Sequence, residues 1–453
     1  MKTRMRKIGA LVISFAMLFA LGSTVMAADD GDLAGDGVVG DFTTPDTPTV
    51  YNDVVFMYKE ITAYNPETCT VNAPTITYNY TIGAGEAGKD IYDIKSAHNP
   101  EASVHATTKA GVGTPAISGS VDGTTFTAGQ LVFTPSVKFD ADADGEKNAY
   151  QLKLDFSSID FTAAPATGAG VYRYVITETT DVTKANAGIK DGDISDTRYM
   201  DVYVDGNGDI YGYVCFQNNN SIDAQDGATT NTVTEAAKTE GFVATTAGGT
   251  DGATAQTADA YYTFNFDLTK ELENDTYSQG HEFPFTITLA NSSVTANVLP
   301  IVSTSGTGTV TQAALTPAPI TGTWTPTISD GGVVSYVGIP CGTTVTIYET
   351  NDVTGVTYAS VSTNADTNAA ALNIYTGENS NNAIITCGQT ALTAAAENHT
   401  ASGAGAVTFT NSLKQISPTG VIVRYAPYIL LLGAGAALFI LSRHWKKKEE
   451  TEA

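Results

Sequence analysis

The sequence predicts an all-β protein made of two tandem Ig-like β-sandwich domains. Thr, Val, Ile, Tyr and Gly are prominent in the middle of the chain, and this choice favours strands over helices. Apolar and polar residues alternate with a period of two in stretches such as 75–82 and 283–289, as in strands with one buried face. Gly, Asn and Asp separate these stretches at short intervals, as the turns of a sandwich require.

The N-terminal residues 1–27 are typical of a secretory signal peptide. Four basic residues lie within the first seven positions, an apolar run covers 8–21, and Val25-Met26-Ala27 gives a small-x-small cleavage pattern. The mature chain is therefore expected to start at Ala28, with an N-terminal segment over 28–48. A transmembrane anchor is the alternative, although the apolar run is short for a membrane span.

The C-terminal residues 415–453 carry three features in order. A short motif over 416–420 is followed by a hydrophobic span over 425–441 and a basic tail over 443–448. Alone, the span and tail predict a membrane anchor with its basic end inside the cell. The motif consists of Ile416, Ser417, Pro418, Thr419 and Gly420.

Together, the motif, span and tail resemble a sortase sorting signal. The resemblance implies cleavage between Thr419 and Gly420, after which the protein is joined to another molecule, so that the membrane is a partner only before sorting. The motif departs from the common Leu-Pro-x-Thr-Gly pattern because Pro418 directly precedes Thr419, an ending that occurs in pilin sorting signals. A permanent membrane anchor remains the alternative.

The charge of the chain excludes one class of function. Asp and Glu total 48 against 23 Lys and Arg, a net charge of −25. Nucleic-acid binding requires a basic surface, so it is excluded, and binding to an anionic lipid surface is disfavoured. Such a charge keeps a surface protein soluble.

Between the two ends, the sequence divides into two comparable halves. A first domain is expected over 49–220 and a second over 259–414. The stretch 221–258 is rich in Thr, Ala, Gly and Asp, which predicts a linker or a long surface loop.

Each half places three polar residues on the apolar face of a strand, where burial of an isolated charge is costly. They are Lys59, Glu178 and Asn218 in the first half, and Lys270, Glu349 and Asn411 in the second. A Lys–Glu ion pair with a neighbouring Asn would explain the pattern, although buried ion pairs often fail to offset their desolvation. A charged residue that leaves the core at a strand end is the other simple explanation.

The ordered set of motifs resembles the streptococcal-type major pilin family, whose domains form internal Lys–Asn isopeptide bonds. The resemblance rests on Tyr58-Lys59-Glu60-Ile61, the strand 170–178, and the endings Phe216-Gln217-Asn218 and Phe409-Thr410-Asn411. It implies that Lys59 joins Asn218 and that Lys270 joins Asn411. Burial would supply a neutral amine, and Glu178 and Glu349 would act as protonated shuttles for an autocatalytic reaction without turnover.

Four cysteines remain after export, two in each expected domain. Pairs Cys69–Cys215 and Cys341–Cys387 are candidate disulfides in an oxidising compartment, with free buried thiols as the alternative. None has metal-ligand spacing and the histidines are scattered, so neither a metal site nor a cofactor is expected.

These features predict a secreted, non-enzymatic structural protein on the surface of a Gram-positive-type bacterium. Its expected partners are sortase and either peptidoglycan or other pilin subunits. A monomeric wall-anchored adhesin that binds host or neighbouring-cell ligands is the alternative. The sequence has no Tyr-Pro-Lys motif of the kind that marks the polymerising lysine of shaft pilins, so that lysine stays unassigned. A secreted enzyme is disfavoured because no Ser/His/Asp or Cys/His set is evident.

Overall fold

The computed structural model describes residues 38–39, 53–92, 104–192, 195–219, 222–223, 238–244, 257–273, 278–350, 358–365, 372–377, 380–386, 405–413 and 418–449. The expected signal peptide and Cys387 lie outside these ranges. All described elements but one helix and one 3₁₀ turn are strands, and the all-β prediction is confirmed.

The described residues before 259 form strands and a 3₁₀-helix at Lys184–Ala187. The strands are β1 (Val38–Val39), β2 (Val54–Tyr64), β3 (Cys69–Asn72), β4 (Ile76–Ala84), β5 (Asp90–Tyr92), β6 (Val104–Thr107), β7 (Lys109–Ala110), β8 (Ala116–Ser120), β9 (Thr127–Ala128), β10 (Gln130–Phe133), β11 (Lys138–Ala141), β12 (Glu146–Asp155), β13 (Gly170–Thr180), β14 (Ile189–Lys190), β15 (Thr197–Val204), β16 (Ile210–Phe216), β17 (Ile222–Asp223), β18 (Lys238–Thr239) and β19 (Gly241–Phe242).

Antiparallel pairing links nine of these strands into one curled ladder. Its order is β16, β15, β13, β4, β10, β9, β8, β12 and β2. The ladder surrounds a core that contains Leu131, Phe133, Phe139 and Tyr174. Strand β2 alternates between half-buried and buried positions over most of its length, which places Lys59 on the same inward face as Met57.

The segment 221–258, expected to be a linker or a long surface loop, contains short strands in the part that the structure describes. Strand β18 pairs with the end of β16, and β19 runs parallel to β2, with Phe242 opposite Lys59. Phe242 is completely buried in the first core. The described part of this segment therefore lies between the two ends of the curled ladder, β16 and β2, and pairs with both.

The described residues from 259 onward contribute a second set of strands. They are β20 (Asp259–Glu273), β21 (Phe283–Ala290), β22 (Asn297–Val298), β23 (Ile301–Gly306), β24 (Val310–Thr311), β25 (Ala318–Pro319), β26 (Gly322–Trp324), β27 (Thr327–Ile328), β28 (Gly332–Pro340), β29 (Thr344–Thr350), β30 (Tyr358–Ala365), β31 (Leu372–Gly377), β32 (Ser380–Thr386) and β33 (Gly405–Leu413).

Two sheets form the second domain as a β-sandwich. One has the order β23, β28, β20, β33 and β30, and the other has β24, β27, β21, β29, β32 and β31. Strand β33 runs parallel to β20, whereas the other neighbours in the first sheet are antiparallel. The core between the sheets includes Phe266, Phe285, Ile287 and Val407.

Strand β20 belongs to both domains. Its start pairs in parallel with β2 and places Tyr261 in the first core, whereas Phe266 lies in the second. At the junction, the side-chain amides of Asn65 and Asn265 donate to each other's carbonyl oxygens at 2.8 Å, with both residues buried. The domains therefore share one uninterrupted strand and a buried polar contact.

A single helix, α1 (Pro418–Glu449), follows the last strand and covers the hydrophobic span 425–441. Among the residues that the structure describes, no helix is long and apolar enough to cross a membrane, so the membrane span expected at 425–441 is not found there.

Candidate functional site

The predicted lysine, glutamate and asparagine of the second domain lie together. Lys270 is on β20, Asn411 is on the parallel strand β33, and Glu349 is on β29 of the facing sheet. The register places Lys270 opposite Phe409 and Leu272 opposite Asn411. Asn411 therefore lies on the same inward face as the lysine, two residues farther along the neighbouring strand. Lys270 and Asn411 are completely buried, and Glu349 is 1 % exposed.

The contacts at this site leave two polar atoms unsatisfied. The Asn411 Nδ2 donates to Glu349 Oε1 at 2.6 Å, and Lys270 Nζ lies 3.7 Å from the same oxygen. Lys270 donates to the backbone oxygens of Glu271 and Phe409 at 2.9 and 3.1 Å. Within the described residues, neither Glu349 Oε2 nor Asn411 Oδ1 has a hydrogen-bond partner. Native structures rarely bury such atoms unpaired, so the site holds polar groups with capacity left for another contact.

Burial drives both ionisable groups of this site toward their neutral forms. Desolvation lowers the pKa of Lys270 to about 8, against the opposing charge of Glu349. Desolvation also raises the pKa of Glu349 above its usual value. The Lys270 amine lies 4.6 Å from the centre of the Phe283 ring, which adds to its apolar surroundings. A neutral amine is a nucleophile and a neutral carboxyl is a proton donor, so burial favours the two forms that amide formation needs.

In the first domain, the structure brings Lys59 and Glu178 together. Lys59 Nζ donates to Glu178 Oε1 at 2.9 Å, and the side chains are 0 % and 1 % exposed. Lys59 projects from β2, and Glu178 projects from β13 across the core. The Tyr80 hydroxyl donates to the other glutamate oxygen at 2.7 Å, and burial together with the charge of Glu178 raises the pKa of Tyr80, which keeps it a donor.

The third residue of this site is Asp259, which sequence reasoning missed. Asp259 is completely buried, and its Oδ2 lies 2.8 Å from Lys59 Nζ. It starts strand β20, which pairs in parallel with β2 and places Asp259 opposite Ile61. The Tyr78 hydroxyl donates to Asp259 Oδ2 at 3.0 Å and the Gly192 N–H donates to Oδ1 at 3.1 Å.

A second lysine, also missed, completes the first site. Lys184 Nζ lies 3.2 Å from both Glu178 Oε1 and Asp259 Oδ2, and it also contacts Asp191 at 3.0 Å. Burial opposes ionisation of Asp259, but the charges of Lys59 and Lys184 outweigh it and hold the pKa of Asp259 below its usual value. Two lysines thus face two buried carboxylates.

The expected partner of Lys59 was Asn218, and the structure places Asp259 there instead. Asn218 is half-buried and follows the end of β16. In the described residues, β16 pairs with β1, β15 and β18, whereas the strands that run parallel to β2 are β19 and β20. The Phe-x-Asn ending at 216–218 therefore does not belong to a strand beside Lys59.

The cysteines of the first domain are free thiols. Cys215 is buried on β16, and Cys69 is half-buried on β3, in a different sheet. Burial raises the pKa of Cys69 to about 11 and that of Cys215 to about 12. The Cys69–Cys215 disulfide is thus not formed, and the alternative of free thiols describes this pair. Cys387 lies outside the described residues, so the Cys341–Cys387 pair stays a prediction.

The sorting motif is described only in part. Pro418, Thr419 and Gly420 form the first residues of α1, and Ile416 and Ser417 lie outside the described residues. The motif begins shortly after β33, the strand that carries Asn411.

Comparison with known proteins gives structural likenesses only. No protein-family model and no curated protein matches the chain. The crystal structure of the major pilin from Streptococcus pyogenes aligns with 79 % of this chain over 98 % of the pilin chain. The sequence identity is 14 % and the TM-score is 0.31. The T-13 major pilin protein from Streptococcus pyogenes covers 80 % and 99 % at 15 % identity, with a TM-score of 0.32. A mutant of the shaft pilin spaA from Lactobacillus rhamnosus GG covers 80 % and 100 % at 11 % identity, with a TM-score of 0.20. Likenesses of this size carry no argument about the function of this chain.

Proposed function

We propose that this chain is a secreted, pilin-like structural subunit of a bacterial surface, and that its second domain closes on itself through an amide bond between Lys270 and Asn411. One observation carries the proposal. A buried lysine and a buried asparagine lie on two parallel strands at the start and end of one domain, with a buried glutamate against both. An enzyme would need such a set to be open to substrate, whereas these three side chains are closed to solvent.

The reaction at this site balances without an external reagent. The neutral Lys270 amine attacks Cγ of Asn411, a new C–N bond forms, the bond to Nδ2 breaks, and ammonia leaves. Rotation of the Asn411 carboxamide by 180° exchanges its oxygen and nitrogen, which places Oδ1 beside Glu349 Oε1. A protonated Glu349 then donates to that oxygen, and its carboxyl group carries the amine proton to the leaving nitrogen.

Bond formation removes the free-energy cost of burying the unreacted Lys270 amine. Lys270 and Asn411 become a neutral amide, so the domain no longer buries an amine far from water. Closing a loop of more than about 100 residues contributes on the order of 5 kcal/mol in the chain-entropy account.

Attachment to the surface is assigned to the C-terminal motif. Thr419 would be joined to peptidoglycan or to a lysine of another subunit after cleavage before Gly420. The sequence Pro418-Thr419-Gly420 and its position directly after the last strand support this assignment.

Peptide mapping tests the internal bond. We expect a branched peptide that contains both Lys270 and Asn411, with a mass lower by one ammonia than the two linear peptides together. Separate linear peptides with free Lys270 and intact Asn411 would overturn the proposed bond.

Denaturing gels of cell-wall fractions test the attachment. A ladder of high-mass species that disappears in the Thr419→Ala variant, but not in the control Thr124→Ala, an exposed threonine outside the motif, is expected for a polymerising subunit. A single wall-bound band that depends on Thr419 would indicate the monomeric adhesin instead. Release of the wild-type protein into the medium would contradict both.

A further inference from the structure

The described segment 238–244 forms a strap between the two ends of the curled ladder. On one side, β18 lies antiparallel to the end of β16. On the other side, β19 lies parallel to β2, and the Tyr58 N–H donates to the Glu240 oxygen at 2.9 Å. Strand β16 also pairs with β15, and β2 also pairs with β12. The strap can therefore leave the gap without breaking the pairing of the ladder itself.

Phe242 is the residue of the strap that faces the charged cluster of the first domain. Its side chain is completely buried in the first core. The centre of its ring lies 5.8 Å from Lys59 Nζ and 5.5 Å from the ring centre of Tyr80, whose hydroxyl donates to Glu178. The ring therefore closes one side of a cluster whose charges are costly to bury, and its departure would admit water to them.

A buried arginine on β15 holds the strap in place. Arg198 is completely buried, and its Nε donates to the Gly241 oxygen at 2.7 Å. Its Cζ lies 4.5 Å from the centre of the Phe242 ring. Its Nη1 donates to the backbone oxygens of Ser195 and Thr197 at 2.6 and 3.0 Å. A charge-assisted hydrogen bond and a cation–π contact, both away from water, thus tie two successive strap residues to β15.

Gly241 allows the strap to lie close against β2. Its φ is +132°, a region that residues with a side chain rarely adopt. A Cβ atom at this position would overlap the backbone oxygen of Tyr58 and lie 2.8 Å from its nitrogen. The Gly241 oxygen also accepts from the Thr239 hydroxyl at 2.9 Å, in addition to Arg198. The fit of the strap therefore depends on the absence of a side chain at one residue.

We propose that the strap docks and undocks as one unit, and that its docking closes the first core to water beside Lys59. Its two strands contain two residues each, so the strap is held mainly by the Phe242 ring and by the contacts of Arg198. Segments with few paired residues open at a lower free energy than the sheet on which they lie. The proposal involves the first domain alone, so it does not depend on the bond proposed between Lys270 and Asn411.

Two native groups report undocking from opposite sides of the strap. The Cys215 thiol is on β16 and lies in the same buried core as Phe242. The Tyr58 amide is on β2, next to Lys59, and donates to an oxygen of the strap. Alkylation of the thiol and hydrogen exchange of the amide therefore measure the same opening in the mature chain. Cys69 on β3, in a different sheet, is the internal reference for alkylation.

The Gly241→Ala and Phe242→Ala variants test the proposal. We expect the alkylation rate of Cys215 and the exchange rate of the Tyr58 amide to rise by the same factor, about tenfold or more, because one opening exposes both. The alkylation rate of Cys69 should not change. The matched control is Phe126→Ala, at an exposed phenylalanine outside the strap, and it should change none of the three rates.

Three results would overturn the proposal. Unchanged rates in both variants would show that the strap does not close the core. A rise at Cys215 without a rise at Tyr58, or the reverse, would show that the strap does not move as one unit. An equal rise at Cys69 would show that the strap opens only when the whole first domain unfolds.

Discussion

The two lysine sites share a backbone arrangement and differ in how they balance charge. In both, a lysine projects from one strand, and the neighbouring parallel strand places Asp259 or Asn411 opposite the residue two positions after that lysine. The second site has one amine, one carboxyl and one amide, and burial drives the amine and the carboxyl toward neutral forms. The first site has two amines and two carboxylates, with Asp259 held ionised by its lysines.

This difference shows that a buried site of the same geometry can be made stable by two routes. Neutralisation suits a partner such as Asn411, which carries no charge of its own. A carboxylate partner such as Asp259 requires an added cation, and Lys184 supplies it from the 3₁₀-helix. The extra lysine is therefore explained by the identity of the partner, since isolated buried carboxylates are costly.

The largest expected effect comes from Glu349→Gln, which keeps the shape of the second site and removes its proton shuttle. We expect loss of the Lys270–Asn411 branch and a decrease in the free energy of unfolding of about 5 kcal/mol, the contribution of closing a long loop. Peptide mapping and denaturant unfolding measure the two. Glu178→Gln is the matched control and should leave the second-domain branch intact. A Glu349→Gln protein that still joins Lys270 to Asn411 would contradict the shuttle.

The next effect contrasts Lys59→Met with Lys270→Met. Lys59→Met leaves two buried carboxylates with one lysine and should lower the free energy of unfolding by about 3–5 kcal/mol, the cost of an unpaired buried charge. Lys270→Met leaves one carboxyl that burial already drives toward its neutral form, so beyond the missing cross-link its loss should be smaller. Hydrogen exchange in β12 and β28 reports the two domains separately. Equal losses of protection in the two variants would show that charge balance does not distinguish the sites.

The stability of the second domain before its bond forms should depend on pH. Desolvation lowers the pKa of Lys270 from 10.5 to about 8. The unfolded chain binds more protons than the folded, unlinked one between these two values, so the free energy of unfolding of the unlinked domain rises with pH there.

Denaturant unfolding of the unlinked Asn411→Ala variant at a series of pH values measures this dependence. A free energy of unfolding that does not change between about pH 8 and pH 10 would contradict the lowered pKa of Lys270.

The smallest effect is expected for Asn218→Ala. Asn218 is half-buried and lies after β16, so the variant should change the free energy of unfolding by less than about 1 kcal/mol. Denaturant unfolding measures this change. A loss comparable to that of Lys59→Met would restore Asn218 as a member of the first site.

The sequence predicts much of both sites because strand alternation is a local property. The period of two places Lys59, Glu178, Lys270 and Glu349 on inward faces, and all four are buried as expected. In the second domain the Phe-x-Asn ending also predicts a residue that the structure brings to the cluster, since Asn411 donates to Glu349.

The partner in the first domain could not be predicted in the same way because it depends on strand pairing over a long distance in sequence. Residues 221–258 are polar enough to suggest that the first domain has ended, yet Phe242 and Asp259 complete it. An aspartate at the start of a strand also gives no sign of burial, because Asp is rarely buried unless paired. The available signal was the shared strand itself, since no Gly or Pro interrupts the chain from Asp259 to Lys270.

Strand β20 carries Asp259 at its start and Lys270 near its end. With the proposed Lys270–Asn411 bond in place, tension that reaches this strand from the first domain would pass through Lys270 into Asn411 and on toward Thr419. The covalent route through the second domain would then use a small part of the chain, and the sheets around it would bear almost none of the pull. Unfolding of the second sandwich by heat or denaturant would leave that route, and hence the maximum extension of this domain, unchanged.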